Sequence, residues 1–282
     1  MSFLSYIWIF MFKDLNKEGI KSIFQNYDIF FIDIWGVIHN GIELHQNSIK
    51  AINEISLTNK EFVLLTNAPR PNKAVRIFLQ NMGLEKKISN KVYTSGQAAL
   101  DFLNALYMDK KFYHIGPPRD FDLFKLFENR KEKKIDNSDY ILCTGLFDEF
   151  DEDLNYYEKL LNNSISKEMI CTNPDLIVNK GNKIELCAGS VAKIFEKAGG
   201  KVTYFGKPYP EIYKHSINFN RKKVLAIGDN FNTDIRGANN MNFDSLAITN
   251  GIHKAEIKNI GIEEVSKKYK VKINFFQSEL KW

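Results

Sequence analysis

A chain of 282 residues, 44% hydrophobic and 26% charged, is long enough for one large domain or two modest ones and too balanced in composition for a disordered or fibrous protein. Its net charge of +5 suits anionic ligands in general, yet the lysines are scattered, and Lys131, Lys133 and Lys134 beside Glu128 and Glu132 read as a solvated helix face. No basic stripe is interleaved with aromatics, which argues against nucleic acid as a partner.

The apolar start, Met1 to Phe12, is too short to span a bilayer and has neither a basic leading region nor a small-residue cleavage site. Three readings stay open: a weak interfacial anchor, an element packed on the domain, or an upstream mis-start with Met11 as the true initiator. No other segment approaches transmembrane length, so no integral membrane character is expected. Cys143, Cys171 and Cys187 are odd in number and lack zinc-type spacing, and two of them sit in apolar runs as small core residues do. A reducing, cytoplasmic location fits.

Short apolar runs alternating with helical patterns predict βαβ units and a mainly parallel sheet. Asp28 to Ile32 reads as a buried strand stopping at Asp33, and Phe62 to Leu65 as a second stopping at Thr66. A helix is expected from Pro71 or Asn72 through Val75, Phe78 and Leu79 to a stop at Gly83. Val202 to Phe205, before Gly206-Lys207-Pro208, reads as a third strand. Val224 to Ile227, running into Gly228-Asp229, is the fourth, and a short helix over Thr233 to Met241 leads to a fifth at Ser245 to Thr249. The polar groups after these strands fall where open α/β sheets gather their ligands.

Between the second and third strands lie more than a hundred residues with their own alternation. Val92 to Thr94 precedes a helix at Gly96 to Leu106, Tyr140 to Thr144 and Met169 to Thr172 look like strands, and Ser190 to Ala198 like a helix ended by Gly199-Gly200. The segment is too long and ordered for a loop. The expected organisation is a Rossmann-like, doubly wound α/β core over residues 1–86 and 201–282, with a smaller α/β domain inserted over 87–200.

The chemistry is carried by a set of residues rather than by any one. A carboxylate such as Asp33, leaving a buried strand, is expensive unless it has a partner such as a metal. Thr66-Asn67 supplies a hydroxyl, an amide and backbone N–H groups. Lys207 is a point charge suited to phosphate, and Asp229 and Asp234, with Asp33, have the oxygen ligands for one magnesium. Singly, each has an ordinary reading as a turn, a helix cap or a loop. Together they supply what phosphoryl transfer needs: a nucleophile, a divalent cation and fixed groups for the phosphoryl oxygens.

The order Asp33, Thr66, Lys207, Asp229/Asp234 resembles the four motifs of the haloacid dehalogenase-like superfamily. The insert looks like the larger cap of its class II, and TNAPR, CTNPD and GKPYPEIY resemble class IIA, which includes 4-nitrophenyl phosphatases and pyridoxal phosphatases. The resemblance covers nearly the whole chain after about Asn26. It implies a magnesium-dependent phosphatase for a small phosphorylated metabolite. Asp33 would become an aspartyl phosphate, Thr66 and Asn67 would bind phosphoryl oxygens, and Lys207 would stabilise the pentavalent state. Asp229, Asp234 and the main-chain carbonyl of Trp35 would complete the metal site. It also implies that the loop Cys171 to Asp175 faces the core site, with Asp175 toward substrate, and that copies pair as a homodimer through the cap.

The departure from the family pattern is Trp35, where these phosphatases carry a second Asp as general acid and base. An indole N–H cannot give and retrieve a proton near neutral pH, and that loss costs on the order of 10²–10⁴-fold. Aryl or acyl phosphates are therefore expected to suffer least. His39 and Arg70 are further candidates, for proton transfer and for a second anion, each with a plainer loop or surface reading. Two competing functions remain: a catalytically impaired phosphate-binding protein on the same fold, and a metal-independent dehalogenase, against which the Asp229/Asp234 pair speaks.

Overall fold

The computed structural model describes residues 12–180 and 183–282. The readings of Met1 to Phe12 concern residues outside this range, apart from Phe12, whose ring packs edge-on against Phe276. The strands are β1 (Lys13–Asp14), β2 (Ile29–Ile32), β3 (Glu61–Thr66), β4 (Val92–Thr94), β5 (Phe112–Ile115), β6 (Tyr140–Cys143), β7 (Glu168–Cys171), β8 (Ile177–Lys180), β9 (Lys183–Leu186), β10 (Lys201–Tyr204), β11 (Val224–Gly228), β12 (Asp244–Ile248) and β13 (Phe275–Gln277).

Seven strands form one sheet in the order β1-β13-β12-β11-β2-β3-β4, parallel throughout. Its central strands are apolar on both faces because helices cover both. Phe30, Ile32, Leu64, Leu225 and Ile227 point to one layer, with Ala51, Ile52, Ile55 and Leu79 from the helices Gln46–Ser56 and Asn72–Asn81. The alternate residues Ile29, Phe31, Val63, Leu65 and Val224 point to the other, against Ile212 and Tyr213 of the helix Pro210–Ser216. This is the period-two signature of a parallel sheet buried on both faces. The chain leaves β2 toward β3 and β4 on one side, and β11 leads to β12 and β13 on the other. The switch point between β2 and β11 opens a crevice at their carboxyl ends.

A second parallel sheet, β10-β7-β6-β5, and the antiparallel hairpin β8-β9 make up a smaller lobe. The α/β doubly wound expectation holds, but the sheets do not divide at residues 87 and 201. Val92–Thr94 pairs with β3 in the large sheet, and Lys201–Tyr204 pairs with β7 in the small one. The strand ahead of Lys207 is therefore not a core strand. An apolar run declares itself a strand through local pattern, whereas its sheet is set by non-local pairing that periodicity does not encode. The lysine-rich stretch also differs from expectation. Lys125–Arg130 is a 3₁₀ segment, and residues 131–134 are not helical. No helix among the described residues is long and apolar enough to cross a membrane.

Candidate active site

Asp33 leaves β2 at the switch point, its backbone N–H held by the carbonyl of Ile227 on β11 at 2.8 Å. Asp229 leaves β11 directly, and Asp234 lies in the wide turn Phe231–Ile235 that follows. One oxygen from each of these carboxylates lies within 4.8 Å of the others, and all three residues are buried. Lys207 Nζ reaches into the group, 2.5 Å from Asp33 Oδ1 and 2.6 Å from Asp234 Oδ1.

Three carboxylates about one ammonium leave the cluster electrostatically uneven. Burial and the Asp234 charge push the Asp33 carboxyl well above the usual range, with Lys207 pulling the other way. Burial and Asp234 push Asp229 up to about 7. Burial works against the Lys207 charge, but Asp234, Asp33 and Asp175 outweigh it and hold the ammonium above its ordinary range. An arrangement that penalises its own negative charge, built from oxygen donors alone, fits a hard divalent cation. Asp229 Oδ2 already accepts the N–H of Ile252 at 2.8 Å, and Asp234 Oδ2 that of Asn230 at 3.1 Å, which aims the remaining oxygens inward.

Glycines let these side chains approach the backbone. A Cβ on Gly228 would stand 2.1 Å from Asp234 Cγ, and one on Gly251 2.0 Å from Asp229 Oδ2. Gly36, at φ +84°, faces Asp229 in the same way. Thr66 ends β3, its Oγ1 accepting the Ala68 N–H at 3.2 Å. The Asn67 side chain is engaged differently from expectation. Its Oδ1 accepts the Lys207 N–H at 2.7 Å, and its Nδ2 donates to the Lys207 carbonyl at 2.9 Å and to Asp175 Oδ1 at 3.2 Å. Asn67 thus clamps the backbone of Lys207 and joins the small lobe's Asp175 loop to the large one, leaving its backbone N–H as the group for an anion. Asp175 is half-buried, and burial pushes its carboxyl up to about 6. Asp33, Trp35, Thr66, Asn67, Asp175, Lys207, Asp229 and Asp234 line one cleft of about 670 Å³, whereas the further candidates His39 and Arg70 line an adjoining chamber.

Two stretches of the chain match known sequence profiles. Residues 30–128 fit haloacid dehalogenase-like hydrolases, and residues 204–268 fit the HAD-hydrolase-like profile. The chain belongs to the haloacid dehalogenase-like hydrolases. Among relatives of this hydrolase is an acid sugar phosphatase of Staphylococcus epidermidis, 23% identical over 82% of this chain and 90% of its own length. Another is a 4-nitrophenylphosphatase of Schizosaccharomyces pombe, 23% identical over 87% and 92%. A haloacid dehalogenase-like hydrolase structure from Brucella suis is 27% identical over 93% of this chain and 98% of its own, with a TM-score of 0.79. A p-nitrophenyl phosphatase from Archaeoglobus fulgidus shares the fold at 17% identity and a TM-score of 0.72.

Trp35 is half-buried in the lining of this hydrolase's cleft, its ring 4.9 Å from that of His39. His39 is 2% exposed, its Nδ1 accepts the Gly41 N–H at 2.8 Å, and burial lowers its pKa to about 4. It is a neutral packing group and not a proton carrier at pH 7. Arg70 spends its guanidinium on Asp122 at 2.7 Å. Sequence reasoning missed Thr233, buried beside Asp175 within GDNFNTD, and the Gly251-Ile252 turn after β12. The latter was signalled by its place at a strand's carboxyl end.

Proposed function

We propose that this hydrolase is a magnesium-dependent phosphoric monoester hydrolase of class IIA, acting on a small phosphorylated metabolite through an aspartyl phosphate at Asp33. The observation that carries the reading is the buried meeting of Asp33, Asp229, Asp234 and Lys207 at one strand switch point. The phosphatase names among the relatives support it, as does a glycerol phosphate phosphatase from Mycobacterium tuberculosis, of the same fold, described in complex with calcium.

In this reading one Asp33 oxygen attacks phosphorus, the ester oxygen departs with the bonding pair, and water then displaces the aspartate to release inorganic phosphate. The ammonium of Lys207, kept charged by its carboxylate neighbours, turns to the phosphoryl oxygens as charge builds on them. Asn67 fixes the Lys207 backbone so that this ammonium is in place beforehand. The Thr66 hydroxyl and the N–H groups of the following loop take further oxygens. Asp33, Asp229, Asp234 and the Trp35 carbonyl would hold magnesium, which supplies charge neutralisation to the phosphoryl group. With an indole in place of an acid at position 35, the leaving oxygen departs unprotonated, so the enzyme works on good leaving groups.

The test is magnesium-dependent phosphate release from aryl, acyl and alkyl phosphates, with Asp33→Asn as the blank. Turnover of aryl or acyl phosphates that vanishes in the blank and with EDTA is expected. Release equal to the blank on every substrate would sink the catalytic reading.

A further inference from the structure

A second chamber of about 400 Å³ opens off the catalytic cleft and shares Trp35, Thr66, Asn67 and Asp175 with it. That is the size of a small organic ligand's site. Its near walls are apolar, with Trp35, Phe78 and Val75 from the large lobe facing Leu146, Val178 and Ile184 from the small one. Away from the residues shared with the cleft, Pro117 after β5 and Thr144-Gly145 after β6 line it beside a polar group. Asp120 lies there, only 4% exposed.

Asp120 is the anomaly of the small lobe. A carboxylate out of water needs a partner or a ligand. No cation lies within ion-pair distance of it among the described residues, and the Thr144 hydroxyl is a neighbouring donor. Thr144 is in turn held 2.9 Å from His114 Nε2, in a pocket that closes around Gly116, where a Cβ would stand 2.0 Å from Thr144 Oγ1. The cations on the chamber's lining have carboxylates of their own: Arg70 with Asp122 at 2.7 Å, Arg119 with Asp148 at 3.5 Å, and Lys183 with Glu152 at 3.3 Å. Six carboxylates line the chamber against these three cations, so on a chain whose net charge is +5 its lining is acidic.

We propose that this chamber holds the alcohol half of the substrate, and that Asp120 selects one carrying an ammonium group at the end opposite the phosphate. The proposal rests on the phosphatase reading above. Phosphate on Lys207 and the magnesium site fixes one end, the apolar walls take the body over the Trp35 ring, and Asp120 accepts from the far cation. Burial pushes the Asp120 carboxyl up to about 6, against the pull of the Thr144 hydroxyl, Arg119 and Arg70, and it is ionised at pH 7.5. A second anion in the substrate would meet this carboxylate and be refused.

Three probes separate the possibilities: 4-(aminomethyl)phenyl phosphate, 4-methylphenyl phosphate and 4-(carboxymethyl)phenyl phosphate. Binding to the full chain carrying Asp33→Asn is measured by calorimetry with magnesium at pH 7.5, so that affinity is read apart from turnover. A charged hydrogen bond corresponds to roughly 10- to 100-fold. The ammonium probe is expected to bind tighter than the methyl probe by that ratio and the carboxylate probe weaker. Adding Asp120→Asn should bring the ratio of ammonium to methyl affinity near one, and Asp120→Glu should restore part of it, with circular dichroism checking the fold of each variant. Equal affinities, a ratio that survives Asp120→Asn, a preference for the carboxylate probe, or no binding of any probe would each overturn the proposal. Turnover of the methyl probe by the unaltered protein reports separately on the phosphatase reading.

Discussion

In the proposed reaction an indole stands at position 35 where a proton donor is called for, and His39 beside it is no substitute. Its ring meets the indole edge-on, and it is neutral and buried. Trp35→Asp is therefore expected to raise kcat/KM for alkyl phosphates by on the order of 10²–10⁴-fold, and that for aryl phosphates far less. Steady-state kinetics on a matched alkyl and aryl pair checks this, and an equal change on both would mean that position 35 does not govern proton transfer. His39 carries a pH prediction of its own. Unfolded, it takes a proton near pH 6.5; folded, it resists to about 4. A folded pKa lowered in this way means that the group's stability contribution is intact above about 6.5 and is lost as pH falls toward 4, at up to about 1.4 kcal/mol per pH unit. His39→Asn keeps an acceptor for the Gly41 N–H, so the stability advantage of wild type over this variant should shrink on acidification. Urea unfolding at pH 7, 6 and 5 would show it, and a pH-independent difference would mean that His39 titrates normally.

Among the elements, the turn after β12 matters more than its sequence suggests. Gly251 lets the Ile252 N–H reach Asp229 Oδ2, and any Cβ there would stand 2.0 Å from that oxygen. Gly251→Ala should leave circular dichroism unchanged while raising the magnesium concentration for half-maximal activity about 10- to 100-fold, the usual effect of disturbing a ligand's supporting contacts. An unchanged magnesium curve would show that Asp229 tolerates displacement. The strands that carry Asp33, Thr66 and Asp229 are legible because a parallel strand buried on both faces is a continuous apolar run, and its first polar residue marks the crevice. The strand ahead of Lys207 is just as legible as a strand, but not as a member of the small sheet, since partners across more than thirty residues leave no local trace. Asp120 was unreadable for a different reason. Gly116-Pro117-Pro118-Arg119-Asp120 has turn composition, and only burial sets its carboxylate apart from a solvated one.

On the scale of the whole molecule, two lobes meet over a cleft that concentrates like charge. The large lobe supplies Asp33, Asp229 and Asp234, the small lobe adds Asp175, and Lys207 is the cation placed among them. Such a site costs stability in the metal-free protein. The folded pKa of Asp229 is raised to about 7 from an ordinary 3.8, so its penalty grows as pH rises between those values and is fully felt above them. At pH 8 with EDTA, Asp229→Asn, which keeps an oxygen for the Ile252 N–H, should be at least as stable as wild type. Magnesium should reverse the order. A ligand bound only by the folded state stabilises it by about 2.7 kcal/mol at a hundred times its Kd, and wild type should gain this while Asp229→Asn gains little. Thermal melts of both proteins with EDTA and with magnesium make the comparison. A variant less stable than wild type in EDTA would show that these carboxylates stabilise the fold without an ion. An equal magnesium shift in both would remove Asp229 from the metal site.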